Sequence, residues 1–324
     1  MAADPRDGVF EVDAGVLQGA PQDRLDRVLR CHRPQLSWAV LRDLVARGKV
    51  AVDGVPCRDP GSAVRAGQRL ELRLAGFGGA AAVPASGDRV RAAAPALEES
   101  RIVHLDRHVV VVDKPAGVNT VPWGDERDSL DARLAARLAT RVGAGVRVVH
   151  RLDRDTSGLL VFARNELAEG RLVHQLRRHS VHRRYLALAH GDVRPQTVRS
   201  HLADDRGDGL RGSVAGERFG KEAVTHVEVV ERLRGATLVA CRLETGRTHQ
   251  IRIHLAEAGH MLLGERGYVR EHRGPVLAAP RILLHAAELG FVHPELGTEL
   301  HFRLPVPQDF AAVLESLRSG TPDA

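Results

Sequence analysis

Cysteine is scarce: Cys31, Cys57 and Cys241 are the three in a chain of 324 residues. They lie far apart, are odd in number and form no CxxC pair. That excludes a disulfide framework and a cysteine-based zinc site, and it points to a reducing cytoplasm. The N-terminus, MAADPRDGVFEVDAG, carries acidic residues early and lacks an apolar signal core. No run approaches the roughly 18 apolar residues of a membrane span. No internal repeat is visible. The histidines, 17 in all, invite a metal reading, yet His249 and His254 lack the Glu of an HExxH site. A soluble cytoplasmic monomer without metal or cofactor is expected. Charge of one sign is also in short excess: 47 basic residues against 41 acidic give +6. This suits a polyanionic partner but is too modest to identify one.

What the chain does have is a length that favours about two domains and, at 43% hydrophobic residues, enough apolar material for an ordinary core. Residues 1–21 read as a tail. From 22 to 75 a compact pattern follows. RLDRVLRCH is a short amphipathic helix with Leu25, Val28 and Leu29 on one face. Ser37 caps a second, with Leu41, Leu44 and Val45 at helical spacing. Gly48 ends that helix, KVAVDGVPC reads as strand, Asp53-Gly54 turn and strand, and AVRAGQRLELRL adds another strand. Residues 76–100 are rich in Gly, Ala and Pro without periodicity, as a flexible linker is. From 101 to 317 strands dominate, among them HVVVVDK, LLVFARN, RRYLALAHG, EAVTHVEVVERL and TLVACRLETG. Helices intervene, including ELAEGRLVHQLRRH with Leu167, Leu172, Val173 and Leu176 as its apolar side. Residues 318–324 form a second tail. Without a regular βαβ repeat, the expected fold is α+β: a large mixed, mainly antiparallel sheet flanked by helices, preceded by a small N-terminal α/β module.

In that module Arg42, Arg47, Lys49 and Arg58 make a basic face, which on charge alone reads as a solvated helix surface rather than as a binding face. The pattern LDRVL, LSWAVLRDLVARGKVAVDGVPC and VRAGQRLEL resembles the alpha-L RNA-binding module of a small-subunit ribosomal protein. Trp38 stands where that family usually has a basic residue. The resemblance implies RNA contacts from Arg42, Arg47 and Lys49.

The densest chemistry lies in VVHRLDRDTSGLLVFARN, Val148 to Asn165, where His150, Arg151, Asp153, Arg154 and Asp155 stand between two apolar strands. A plain hairpin would use Asn-Gly or Asp-Gly. Aspartate is an ionised carboxylate at neutral pH, and neighbouring cations favour that form. Such a group serves as a structural salt-bridge partner or as a nucleophile or base. Thr156, Ser157 and Gly158 supply a tight turn.

DKPAGV, HRLDRDTSGLLVFARN, RRYLALAHG and LETGRTHQIRIHLAEAGHMLLGERGY together resemble the RluA-type family of pseudouridine synthases, over nearly all of residues 101–310. The resemblance implies an isomerase that needs no metal and makes Asp153 the essential aspartate. It makes Tyr185 the active-site tyrosine that packs on the base, and Arg252 the cation that pairs with the aspartate. Arg151 fits the arginine that enters the RNA stack, and Lys114, Arg247, His249 and Gln250 are further candidate RNA contacts. A uridine in structured RNA must first be extruded. The carboxylate then adds to ring carbon six, attacks the anomeric carbon or abstracts a ribose proton. Thr120 and Trp123 depart from the family near the site. Met261, Glu265 and Val269 depart at what is expected to be its rim. The RNA is expected to be ribosomal, most of all from the large subunit. The alternatives are transfer RNA as substrate, or a non-catalytic RNA-binding or ribosome-assembly protein. A glycosidase would normally want two carboxylates, and Asp155, two residues along an extended chain, would point away from Asp153.

Overall fold

The computed structural model describes residues 8–13, 16–17, 22–34, 36, 38–73, 95–122, 128–139, 145–206, 210–215 and 220–319. The chain divides into two compact units, Met1–Arg91 with Asp204–Gly212, and Ala92–Ala203 with Ser213–Ala324.

The first unit contains β1 (Gly8–Glu11), β2 (Gln22–Arg24), α1 (Leu25–His32), α2 (Trp38–Ala46), β3 (Val50–Val52), β4 (Val55–Cys57), β5 (Ala63–Arg65) and β6 (Arg69–Leu72). One sheet has the order β1-β6-β3-β4, and β2 pairs with β5. The apolar positions at helical spacing meet as expected: Leu25, Val28, Leu29, Leu41 and Val45 are buried together with Val50, Leu70 and Leu72. At the β3–β4 turn Asp53 and Gly54 take φ of 50° and 80°, the left-handed pair that a two-residue hairpin requires. The expected tail of residues 1–21 is corrected in part, because Gly8–Glu11 pair with β6, and Val12 and Leu17 are buried. Ser37 and residues 74–94, most of the expected linker, lie outside the described residues. The last stretch of that linker is structured: Leu97 is buried and Glu99–Arg101 form a 3-10 turn.

The second unit contains β7 (Ile102–Leu105), β8 (Val109–Lys114), α3 (Leu130–Leu138), β9 (Arg147–Val148), β10 (Ser157–Ala163), α4 (Glu166–Arg177), β11 (His182–His190), β12 (Gln196–Ala203), β13 (Gly212–Val214), β14 (Lys221–Leu233), β15 (Ala236–Leu243), α5 (Gln250–Glu257), β16 (Leu284–Val292), β17 (Glu299–Arg303) and α6 (Gln308–Ser319). Eleven strands make one sheet, ordered β13-β12-β14-β15-β11-β16-β10-β8-β7, with β17 against β16 and β9 against β10. β10 runs parallel to β16 and antiparallel to β8. This is the expected α+β architecture.

The continuous apolar runs follow from burial on both faces of the sheet. Val110, Val112, Leu160 and Phe162 pack with Leu130, Leu134 and Leu138 of α3. Val109, Val111, Leu159 and Val161 pack with Ala168 and Leu172 of α4 on the other face. Asn165 starts α4, its Oδ1 accepting the Ala168 N–H at 2.9 Å. Leu167, expected on the apolar side of that helix, is instead exposed, because the buried stripe runs through Ala168 and Leu172.

Central strand β16 sets the geometry of the functional region. Its Ala286 registers with Tyr185 of β11 on one side and with Gly158 of β10 on the other. Gly158 has φ +112°, and a Cβ there would fall 2.3 Å from the Ala286 carbonyl oxygen. Only glycine lets the two strands meet so closely.

Candidate active site

The segment between β9 and β10 is held from several directions. Its own turn closes through the Thr156 N–H to the Asp153 carbonyl, 3.1 Å. Thr120 Oγ1 donates to the Leu152 carbonyl at 2.8 Å and accepts the Leu152 N–H at 3.1 Å. Lys114 Nζ donates to the carbonyls of Pro115 and Arg154 at 2.9 and 2.8 Å. Arg281 donates to the Asp155 carbonyl at 3.1 Å and to Ser157 Oγ at 3.2 Å, while gripping Asp309 at 2.6 and 3.1 Å. Asp153 is therefore carried on a loop whose backbone is fixed at 152, 154 and 155. Such over-determination keeps its side chain in one place.

The Asp153 side chain enters a pocket of about 500 Å³ whose walls include Leu152, Tyr185, Leu243, His249, Arg252 and Leu284. One carboxylate oxygen lies 4.0 Å from Arg252 Nη1 and the other 4.0 Å from His249 Nε2. Among the described residues no side chain hydrogen-bonds to that carboxylate. It stands beside the Arg252 charge on the lining of the pocket.

Arg252, on α5, is itself fixed. Its Nε and Nη2 donate to Glu265 Oε2 and Oε1 at 2.7 and 2.9 Å, a bidentate pair. The guanidinium carbon stands 5.1 Å from the Tyr268 ring centre, and the Tyr268 hydroxyl is 2.7 Å from His249 Nδ1. His249 is the residue before α5 and takes φ 60°, which turns its ring toward the pocket. Both tyrosines of the chain, Tyr185 and Tyr268, thus belong to this region.

Burial raises the Tyr185 pKa; the Arg183 charge opposes that shift and the Asp153 charge adds to it. Tyr185 is accordingly a phenol at neutral pH, an apolar wall with an O–H to donate. His150 is pushed down to about 3 by burial and by the Arg183 charge, so its ring is neutral. Burial lowers the Arg252 pKa, but its hydrogen bonds and charge pairing with Glu265 outweigh that and leave it raised.

The expected trio Asp153, Tyr185 and Arg252 is brought together, with His249 beside it and Arg151 exposed on the pocket lining. Two expected RNA contacts are corrected. Lys114 has no exposed surface and spends its ammonium on two backbone carbonyls of the Asp153 loop. Gln250 is buried and saturated: Oε1 accepts from Thr245 Oγ1 and the Arg247 N–H, and Nε2 donates to the Val224 carbonyl and Thr225 Oγ1. Arg247 is exposed, donating to the Glu222 carbonyl at 3.0 Å. In the first unit, buried Asp26 takes Arg42 at 3.0 Å, Asp43 takes Arg47 at 2.9 Å, and Lys49 is half-buried. Glu265 is not at the rim as expected but wholly buried beneath Arg252. Met261 is buried too, and Val269 is exposed. Trp123 lies outside the described residues.

Sequence reasoning missed Glu265 as a partner of Arg252, Tyr268 as a brace for His249, and Arg183 in the pocket wall. The one available signal was the two-residue step from Arg183 to Tyr185 along a strand. Metal-type ligands do gather elsewhere: His182, Glu288 and His301 form such a group among the described residues. None of the three lines the Asp153 pocket.

Residues 108–257 match the family model described as RNA pseudouridylate synthase. The ribosomal large subunit pseudouridine synthase D of Zymomonas mobilis is 35% identical over 91% of this chain and 93% of its own. The enzyme of the same name from Pseudomonas aeruginosa is 35% identical over 91% and 92%. A Bacillus subtilis protein named uncharacterized RNA pseudouridine synthase YlyB is 34% identical over 95% and 98%. Among solved structures, human RNA pseudouridylate synthase domain containing 1 superposes with a TM-score of 0.52 at 26% identity, over 69% of this chain and 96% of that one. Human RNA pseudouridylate synthase domain containing 4 gives 0.56 at 23% identity, over 67% and 93%, a likeness of fold. Identity of about a third, sustained through nine-tenths of both partners, reaches well beyond any single motif, and the chain belongs to the RNA pseudouridine synthases, which isomerise uridine within RNA.

Proposed function

We propose that the enzyme converts specific uridines of large-subunit ribosomal RNA to pseudouridine, with Asp153 as the reacting carboxylate. The observation that carries the reading is the Asp153 carboxylate in its pocket, 4.0 Å from both Arg252 and His249 and hydrogen-bonded to neither. The ribosomal target is supported by several relatives that bear the large-subunit name over nearly their full length.

The isomerisation breaks the uracil–ribose bond, turns the base and rejoins it through ring carbon five, with no net redox change. The uridine leaves its stack, at a cost of a few kcal/mol. Arg151, exposed at the mouth, fills the gap, and Tyr185 receives the base on its ring face. Arg252 and His249 hold the Asp153 charge in place until the base arrives. The buried Tyr185 hydroxyl, kept protonated, donates a hydrogen bond to the base, and the proton lost from ring carbon five as the new bond forms is balanced by the one gained at N1. Arg42, Arg47 and Lys49 of the module spanning 22–75 add sequence-independent contacts to phosphates. The protein acts in the cytoplasm as a monomer, which light scattering checks.

The test is a strain lacking the gene, complemented with wild type or Asp153→Asn, with pseudouridines mapped across ribosomal and transfer RNA by carbodiimide adducts. Loss of large-subunit positions, restored by wild type and not by the variant, is expected. Loss confined to transfer RNA would overturn the ribosomal target, and restoration by Asp153→Asn would overturn the role of the carboxylate.

A further inference from the structure

Arg183 precedes Tyr185 by two residues on β11, so strand alternation puts both side chains on one face, about 7 Å apart. Arg183 is 7% exposed and lines the same pocket as Asp153. Its Nη2 donates to the Glu244 carbonyl at 2.9 Å, while its Nε is buried without a partner. Among the described residues no carboxylate pairs with it. The contrast with Arg252 is direct: that arginine, half-buried at the same pocket, is matched by Glu265. A guanidinium cannot shed its proton, and a buried charge without a counter-ion is strongly unfavourable. The groups facing it do not compensate. His150 is neutral and Tyr185 is a phenol.

Further cationic and donor groups converge on this end of the pocket. His179, at φ 56°, donates through Nδ1 to the same Glu244 carbonyl at 2.7 Å. Arg177 is exposed on the lining. Gly246 leaves the space open, since a Cβ there would stand 2.7 Å from Arg183 Nη1. With Nη2 held on the Glu244 carbonyl, the guanidinium lacks an anion and offers its Nη1 edge beside the exposed Arg177, and the strand spacing of about 7 Å from Tyr185 is of the order of the distance between a pyrimidine and the phosphates of its own nucleotide.

We infer that Arg183, assisted by Arg177 and His179, receives a phosphodiester that flanks the extruded uridine, so that one pocket binds the base on Tyr185 and its neighbouring phosphate on Arg183. This rests on the reading of the pocket as a uridine site. The anion of the substrate supplies the charge that the fold withholds from Arg183, and binding of the correct strand thereby fixes the pocket wall next to Tyr185.

The probe is a single-stranded oligoadenylate with one central uridine, which presents the base with no duplex to open. Either phosphate flanking the uridine is replaced in turn by an uncharged methylphosphonate. Binding to the full-length protein is followed by fluorescence anisotropy. One of the two replacements is expected to weaken binding by about 10- to 100-fold, the range for a charge-assisted hydrogen bond. In Arg183→Gln that same replacement should cost less than about twofold, because the partner charge is already gone. Arg183→Lys, which keeps the charge and loses the fork, should fall between, and it stands in if the glutamine variant does not fold. Indifference of the wild type to both replacements overturns the inference. So does a penalty that persists undiminished in both variants, the mark of a merely structural arginine. Pseudouridine mapping in the deletion strain reports separately on the functional reading: lost positions with no phosphate dependence sink the phosphate site alone, and phosphate dependence without lost positions sinks the enzymatic role alone.

Discussion

Replacing Glu265 by Gln removes one charge from the interior with almost no change of shape. The glutamate side chain is fully buried and Arg252 is 12% exposed. Oε1 accepts the N–H groups of Arg266, Gly267 and Tyr268 at 3.0, 2.7 and 3.3 Å in addition to Arg252. A glutamine has one acceptor oxygen to offer, and its amide then confronts either the guanidinium or the backbone donors. Removing one partner of a buried ion pair costs about 3–5 kcal/mol, and the backbone bonds that a glutamine oxygen retains reduce this to about 2–4 kcal/mol. For a domain of this size that lowers Tm by roughly 5–15 °C. The pH dependence follows from the charge. Burial raises the Glu265 pKa, but the Arg252 hydrogen bond and charge and the Gly267 and Tyr268 N–H groups outweigh it, so the folded value is lowered. The stabilisation is thus fully present above the unfolded pKa of about 4.3 and disappears as pH falls through the folded value. Melting curves of wild type and Glu265→Gln should lie apart at neutral pH and converge under acid. Freed from its clamp, Arg252 no longer faces Asp153 at a fixed distance, and a displacement near 1 Å is worth about 100-fold in rate. Circular dichroism melts and single-turnover pseudouridine formation are the assays. A variant that melts within about 2 °C of wild type at neutral pH, less than one kcal/mol is worth, would refute the reasoning.

Thr120→Val deletes both hydrogen bonds to Leu152 and should cost about 1–3 kcal/mol, with kcat falling and KM little changed, as steady-state kinetics on RNA would show. Gly158→Ala drives a methyl to 2.3 Å from the Ala286 carbonyl at φ +112°; a loss of about 3 kcal/mol or more is expected by urea titration. Lys114 is pushed down to about 7 by burial, below its ordinary value of about 10.4. The unfolded chain therefore binds the proton more readily between those values, and stability rises with pH through that window. Lys114→Met should flatten the rise, measured by urea unfolding at intervals from neutral to alkaline pH.

Legibility in the sequence tracked the kind of interaction involved. Val109 to Val112 and Leu159 to Phe162 read as strands because they are buried on both faces and carry the signal in every residue. β12 and β17 carry a weaker signal because each is only partly covered: Gln196–Ala203 has just Val198 and Leu202 as apolar residues on one face, and the five residues of Glu299–Arg303 just Leu300 and Phe302. β1 is four residues long, too short for periodicity to emerge. That Asp153, Tyr185 and Arg252 would meet in one pocket was legible through motif resemblance. Lys114 and Gln250 were misassigned because residue type gives no depth: a lysine in a turn motif and a glutamine beside a basic segment look like surface groups until their donors are seen to be spent on backbone. Glu265 departs from the family pattern, which says nothing of depth, and only the folded chain shows its side chain buried against Arg252 of α5.

The parallel contact of β10 with β16 joins Ser157 to His285, 128 residues apart, through a 2.9 Å side-chain hydrogen bond as well as the ladder. Arg281, equally distant in sequence, holds the Asp153 loop from behind. Contacts of such span close late, after the entropy of a long loop has been spent. During synthesis the motif that carries Asp153 leaves the ribosome well before the strand that completes it. A nascent chain therefore exposes the residues of the pocket without their geometry, and the pocket is complete only when the last third of the chain has emerged. Truncation just before β16, at residue 283, should yield a silent protein even though Asp153, Tyr185, His249 and Arg252 are all still encoded.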